Sequence, residues 1–186
     1  MSTTISLKPA SPIASLASTF ESAASPIEWL IITHNDPQLL RSLASAFEEE
    51  SVAFLPISQD SWDSDDVDLE EAIAWAMRQT KITNLLLVGD SQAAAEPSTF
   101  KSRWGSEQES GGYARLLAGA QRKCADDRRA REELAGHIDR LRAMPVVRER
   151  LLCGVLAVNG LYYRCESGLF LAYDSDAERF EPLLVT

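Results

Sequence analysis

Two apolar runs end in polar tips, and they constrain the fold more than any other feature. Leu30-Ile31-Ile32 runs into Thr33-His34-Asn35-Asp36, and Leu85-Leu86-Leu87-Val88 runs into Gly89-Asp90-Ser91-Gln92. Continuous apolar runs of this length, set between stretches of helical periodicity, read as strands buried on both faces of a parallel sheet. Their carboxyl ends are where open α/β sheets place ligand sites. Chemistry in this chain is therefore expected at one imidazole, two carboxylates, amides and hydroxyls. Neither tip contains a thiol.

The elements around these runs alternate. Ile13 to Ala23 reads as a short helix that Pro26 breaks, and a strand follows at 28–33. Asp36-Pro37 is a helix start: the carboxylate can accept orphan amide hydrogens, and proline at the first helical position gives up no hydrogen bond. Leu39, Leu40, Leu43 and Phe47 form the buried stripe, and Glu48-Glu49-Glu50 oppose the helix dipole at its end. Val52 to Ile57 is a second strand. Asp68, with Glu71 three residues on, reads as a capping box for a helix that buries Leu69, Ala72, Ile73, Ala76 and Met77. Leu85 to Val88 is the third strand. Strand, helix, strand, helix, strand implies a parallel sheet with helices on its faces.

Residues 93–112 are rich in Ala, Ser and Gly and read as a loop or lid. Tyr113 to Arg150 is helical with a break near Pro145, placing Leu134, Ile138, Leu141, Val147 and Leu151 against the sheet. Val155 to Tyr163 is a fourth strand, Glu166-Ser167-Gly168 a turn, and Leu169 to Tyr173 an antiparallel return. The predicted fold is thus α/β: a mostly parallel central sheet flanked by helices, with a C-terminal antiparallel edge hairpin. Residues 1–26 are expected to form an arm with a short helix, and 27–186 a single domain. That exposed hairpin is a candidate for pairing with a second subunit.

Charge narrows the function. Acids outnumber bases 28 to 18, for a formal charge of -10. This is the wrong sign for a nucleic-acid backbone binder. The arginines between Arg128 and Arg150 are interleaved with acids and read as a solvated helix surface. The polar start reads as carrying no secretory signal, and no segment approaches the roughly 20 apolar residues of a membrane helix. Cys124, Cys153 and Cys165 are scattered and odd in number, as expected of reduced cytoplasmic thiols.

His34, Asp36 and Asp90 are the candidate metal ligands, and His34 and Asp36 the candidate catalytic groups. Two carboxylates and an imidazole suit a divalent ion, and an imidazole beside a carboxylate suits a general base. The plainer reading is the stronger one: Asp36 is already explained as a helix cap, and Asp90 as a cap or brace of the loop before Ala93. Ser91 lacks the G-x-S-x-G frame and Gly89 the G-x-G-x-x-G spacing. Gly111-Gly112 reads as a hinge. Trp62 and Trp104 are expected to close over the sheet edge, whereas Trp29 and Trp75 read as core.

The C-terminal stretch carries a family resemblance. His137-Ile138-Asp139-Arg140-Leu141-Arg142-Ala143-Met144-Pro145-Val146-Val147, then Gly154-Val155-Leu156-Ala157-Val158-Asn159-Gly160-Leu161-Tyr162-Tyr163 and Glu166-Ser167-Gly168, resemble the last helix and hairpin of the β-class carbonic anhydrases. Their hairpin reads G-x-L-x-x-H-G-W-x-Y … E-T-G. Upstream, Asp68-Leu69-Glu70-Glu71-Ala72-Ile73 is similar to the helix before that family's V-x-G-H-x-x-C-G loop. The resemblance spans most of residues 27–184 and implies the fold and a homodimer or higher homo-oligomer.

The family's zinc ligands do not carry over. At its C-x-D-x-R loop this chain has His34-Asn35-Asp36-Pro37-Gln38: His34 stands at the cysteine, Asp36 at the aspartate and Gln38 at the arginine. At G-H-x-x-C it has Gly89-Asp90-Ser91-Gln92-Ala93, so Asp90 replaces the histidine and Ala93 the second cysteine. Two thiolates and an imidazole hold zinc and lower the pKa of its water to about 7; with Ala93 one ligand is gone, and His34 and Asp90 alone make a two-ligand site. No cofactor is expected. The reading is a catalytically inactive relative with a structural, regulatory or binding role. The alternatives are a divergent metal-dependent lyase or hydrolase holding zinc or another divalent cation through His34, Asp36 and Asp90, and a module that binds a small anion or metabolite in the vacated pocket.

Overall fold

The computed structural model describes residues 12–23, 25–47, 52–57, 67–79, 81–91 and 112–183. The expectations for residues 48–50, Trp62, 93–111 and Trp104 lie outside them. Six strands form one sheet in the order β2-β1-β3-β4-β5-β6. They are β1 (Trp29–His34), β2 (Val52–Ile57), β3 (Asn84–Asp90), β4 (Ala157–Arg164), β5 (Leu169–Asp174) and β6 (Arg179–Pro182). The helices are α1 (Pro12–Ser22), α2 (Pro37–Ala46), α3 (Val67–Gln79), α4 (Gly112–Ala143) and α5 (Pro145–Leu152). The sheet is mostly parallel, flanked by helices, and ends in antiparallel strands.

The residues divide into two units, 1–86 with 141–158 and 87–140 with 159–186. In the first, β1 and β2 pair in parallel from Trp29 opposite Val52 to His34 opposite Ile57. Leu30, Ile31 and Ile32 are fully buried, as a run without alternation requires. Pro56 sits in β2, which has no strand beyond it in the described sheet, so its missing N–H costs no interior ladder bond. α1 lies against α3 and β2, burying Leu16. Phe20 of α1 meets Trp75 of α3 with ring centroids 5.4 Å apart.

α5 shows how sequence sets a helix end. Pro145 occupies its first turn, while Met144 is extended and offers no side-chain cap. At its C-terminus Gly154 takes φ +68. Gly154 N–H donates to Leu151 O, and Val155 N–H to Arg150 O. This is the Schellman pattern, which needs a left-handed residue and favours glycine. Arg150 was expected on a solvated face. It is half-buried instead, and its guanidinium donates to Met77 O at 2.9 Å and Ile82 O at 2.6 Å. It thereby ties α5 to the end of α3 and to the segment leading into β3.

In the second unit, glycines let α4 approach the strands. A Cβ on Gly89 would lie 3.0 Å from Leu134 Cδ2. One on Gly160 would collide with Ile138 Cδ1 and stand 3.2 Å from Tyr173 Cβ. Gly89 thus serves packing. β4 and β5 pair from Leu161 opposite Ala172 to Arg164 opposite Leu169.

Two expectations need correction. Asp68 does not precede its helix: α3 begins at Val67, so Asp68 lies in the first turn, where its charge suits the helix dipole. Gly89 and Asp90 are not loop residues but end β3. The C-terminal antiparallel hairpin is present and continues by one strand, β6, which pairs with β5 from Leu171 opposite Pro182 to Asp174 opposite Arg179.

Candidate functional site

The tip of β1 is built by the strand and by the start of α2. His34 closes β1 and is half-buried. Asn35 N–H donates to Ile57 O at 3.2 Å, which fixes the turn. Asp36 then caps α2: its Oδ1 accepts from Gln38 N–H at 2.6 Å and from Leu39 N–H at 3.0 Å. The cap explains why the helix starts there, and it engages one of the two carboxylate oxygens, Oδ1. An anion at this helix start would meet a carboxylate where it needs free donors.

Thr33, beside His34, is fully buried, and its Oγ1 has no hydrogen-bond partner among the described residues. Asp90, at the end of β3, is 4% exposed. Neither His34 nor Asp90 is without a partner.

The second unit holds a polar constellation that the sequence reading missed. Asp127, on α4, accepts from Tyr162 Oη at 2.9 Å through Oδ1. Its Oδ2 takes Arg164 at 2.9 Å and Arg131 at 3.1 Å. Burial pushes the Tyr162 phenol far above its ordinary pKa; the hydrogen bond to Asp127 adds to this, and so does the charge of Asp90. The phenol is therefore a fixed donor across the physiological range. The group joins α4 to β4 with every strong donor turned onto one carboxylate.

A second cluster lies at the carboxyl end of β3. Ser91 N–H donates to Tyr163 O, and Ser91 Oγ accepts from Cys165 N–H at 3.1 Å and donates to Glu166 at 3.2 Å. Lys123 reaches the other oxygen of Glu166 at 2.9 Å. That lysine, first among the causes, holds the Glu166 carboxyl below the ordinary range. The Ser91 hydroxyl thus braces the β4–β5 turn, between the Cys165 amide and the Glu166 carboxylate.

The donor set does not fit the zinc of the enzymes this fold resembles. Among the described residues no three His, Cys, Asp or Glu side chains converge to hold a metal. Cys124 lies on α4, Cys153 follows α5 and Cys165 follows β4; all three are free thiols, and none is on the β1 or β3 tip.

Among solved structures the chain is similar to several β-carbonic anhydrases. The β-carbonic anhydrase CcaA superposes with a TM-score of 0.60 at 15% identity, over 91% of this chain and 90% of that one. The tetrameric β-carbonic anhydrases of Sordaria macrospora give 0.55 at 17% identity, over 91% and 85%. CafA of Aspergillus fumigatus gives 0.56 at 19%, over 87% and 81%. At such identities the likeness establishes the fold alone. No family model matches the chain, and no curated protein matches it. No helix among the described residues is long and apolar enough to cross a membrane.

Proposed function

We propose that this chain is a catalytically silent relative of the β-class carbonic anhydrases that acts as a structural, regulatory or binding oligomer. The observation that carries the reading is Asp36: its carboxylate is held by the amides of Gln38 and Leu39. The residue that would have to serve the metal site is engaged, through Oδ1, in starting a helix. Gln38 stands where the family pattern has arginine, so the side chain that would orient Asp36 is absent as well. Activation of water by zinc needs a stable set of about three protein ligands plus an open position. His34 and Asp90 supply two at most.

An oligomer, most simply a homodimer, is part of the proposal; the Sordaria relatives are described as tetrameric. A reduced, cytoplasmic setting accords with three unpaired thiols. The negative charge, and the acids interleaved with the arginines between Arg128 and Arg150, argue against a nucleic-acid partner. Of the alternatives, the metalloenzyme would have to draw on Asp36 while its Oδ1 holds two amides, and the small-anion module requires donors that Asp36 already occupies.

Stopped-flow CO2 hydration tests the proposal. Purified protein supplied with zinc should give the rate of the buffer alone. A zinc-dependent rate that a chelator abolishes and His34→Ala removes would refute it. Sedimentation velocity should show a species of at least twice the chain mass; a monomer at all concentrations would remove the oligomer from the proposal.

A further inference from the structure

A cleft in the first unit, separate from the β1 tip, has the makings of a ligand site. It measures about 810 Å3 and opens between α1, the segment that follows it and the end of α3. Phe20 and Trp75 line it with rings tilted at 38° and centroids 5.4 Å apart, and Ile27 lies beside them. Arg78 and Lys81, both exposed, and Glu21 contribute charge to the same lining. The volume falls within the range of about 300–1,000 Å3 typical of small-molecule sites.

The composition of the lining restricts the occupant. Two cations against one carboxylate give the cleft a net positive charge in a chain of net charge -10. Neither Arg78 nor Lys81 has a carboxylate partner among the described residues. A cationic ligand attracted to the aromatic faces would meet both at short range. A neutral apolar ligand would use the rings and leave the charges idle. A planar apolar body bearing one carboxylate or sulfonate uses both halves: the rings take the body, and the cations take the anion.

We propose that this cleft binds a small planar aromatic anion, with Phe20 and Trp75 contacting its ring system and Arg78 and Lys81 its acidic group. The site does not depend on the metal chemistry of the β1 tip, so it stands or falls separately from the functional reading above.

The probe is 8-anilino-1-naphthalenesulfonate, followed by fluorescence titration of the native 186-residue chain. Saturable binding of one equivalent is expected. The double variant Arg78→Glu/Lys81→Glu should lose at least about tenfold in affinity, the effect of two reversed charges near an anion. Its melting temperature should hold, because both side chains are exposed. Glu21→Gln should tighten binding, and the uncharged N-phenyl-1-naphthylamine should bind more weakly than the sulfonate. Phe20→Ala should weaken both probes. Absence of saturable binding, or affinity unmoved by the double charge reversal, would overturn the proposal. So would a dimer that this double variant dissociates, because a second copy of the chain would then occupy the cleft.

Discussion

The tip of β1 and the Asp127 constellation are both polar, both partly buried and both set at the margin of a sheet, yet they are built oppositely. At the β1 tip Asp36 is satisfied within a few residues, by the amides of its own helix. Around Asp127 the partners come from afar, with Tyr162 and Arg164 lying 35 and 37 residues away in sequence. The first arrangement ends a strand and starts a helix. The second fastens a 32-residue helix to the strand beyond it. The comparison teaches that polar content at strand ends is not itself a site; what matters is whether the groups are already used.

The largest effect should come from breaking the long-range constellation. Asp127→Ala leaves Tyr162 Oη without its acceptor and Arg131 and Arg164 without their carboxylate, at a cost of about 3 kcal/mol. Urea unfolding measures it; a loss too small to resolve would mean that the constellation does not fasten α4. Gly160→Val comes next, at about 2 kcal/mol, because its side chain would overlap Ile138 and crowd Tyr173. Adding Ile138→Ala should recover part of that loss in a double-mutant cycle.

Tyr162→Phe should cost about 1 kcal/mol near neutral pH. Its pH dependence is more diagnostic. The folded phenol keeps its proton to higher pH than the unfolded one, whose ordinary pKa is 10.0. Its contribution is complete below that value and is lost as pH climbs past it. Unfolding measured between pH 8 and pH 11, a window of roughly one to two units around the ordinary tyrosine value, should show a steeper alkaline loss in the native chain than in Tyr162→Phe. Parallel curves would break the link between this phenol and the helix.

The smallest effect has the opposite sign and belongs to the β1 tip. Thr33→Val replaces a buried hydroxyl that has no hydrogen-bond partner among the described residues. It should stabilise the fold by about 1 kcal/mol. Destabilisation would show that Oγ1 is engaged in solution, and the tip would then be less self-contained than described.

How much of this was legible in the sequence follows from the range of each interaction. β1 and β2 could be read because unbroken apolar runs have few other uses, and the cap at Asp36 because its consequence is two and three residues away. β6 could not. Arg-Phe-Glu-Pro is short, polar and ends in proline, and it becomes a strand because a turn delivers it to β5. That turn rests on Asp174 Oδ1, which accepts from the amides of Asp176 and Ala177, and on Glu178 at φ 50. Asp127 was hidden for a different reason. Among interleaved arginines and acids it looked like its neighbours, and Arg128 and Arg129 do form exposed pairs one helical turn along. Nothing in helical periodicity separates the one acid that turns inward; a tyrosine and an arginine two residues apart on one strand face were the available signal. Asp90 was legible as a residue of interest but was placed in a loop, because Gly89 suggested a turn. The glycine instead makes room for Leu134.

The central claim is that too few electron-pair donors meet at the strand tips to retain a metal, and metal stoichiometry tests it most directly. Protein purified without chelators and analysed by inductively coupled plasma mass spectrometry should carry far less than one zinc, or any other divalent ion, per chain, and His34→Ala should leave that trace unchanged. One tightly held ion per chain, lost in both His34→Ala and Asp90→Ala but kept in Cys124→Ala, would contradict the account.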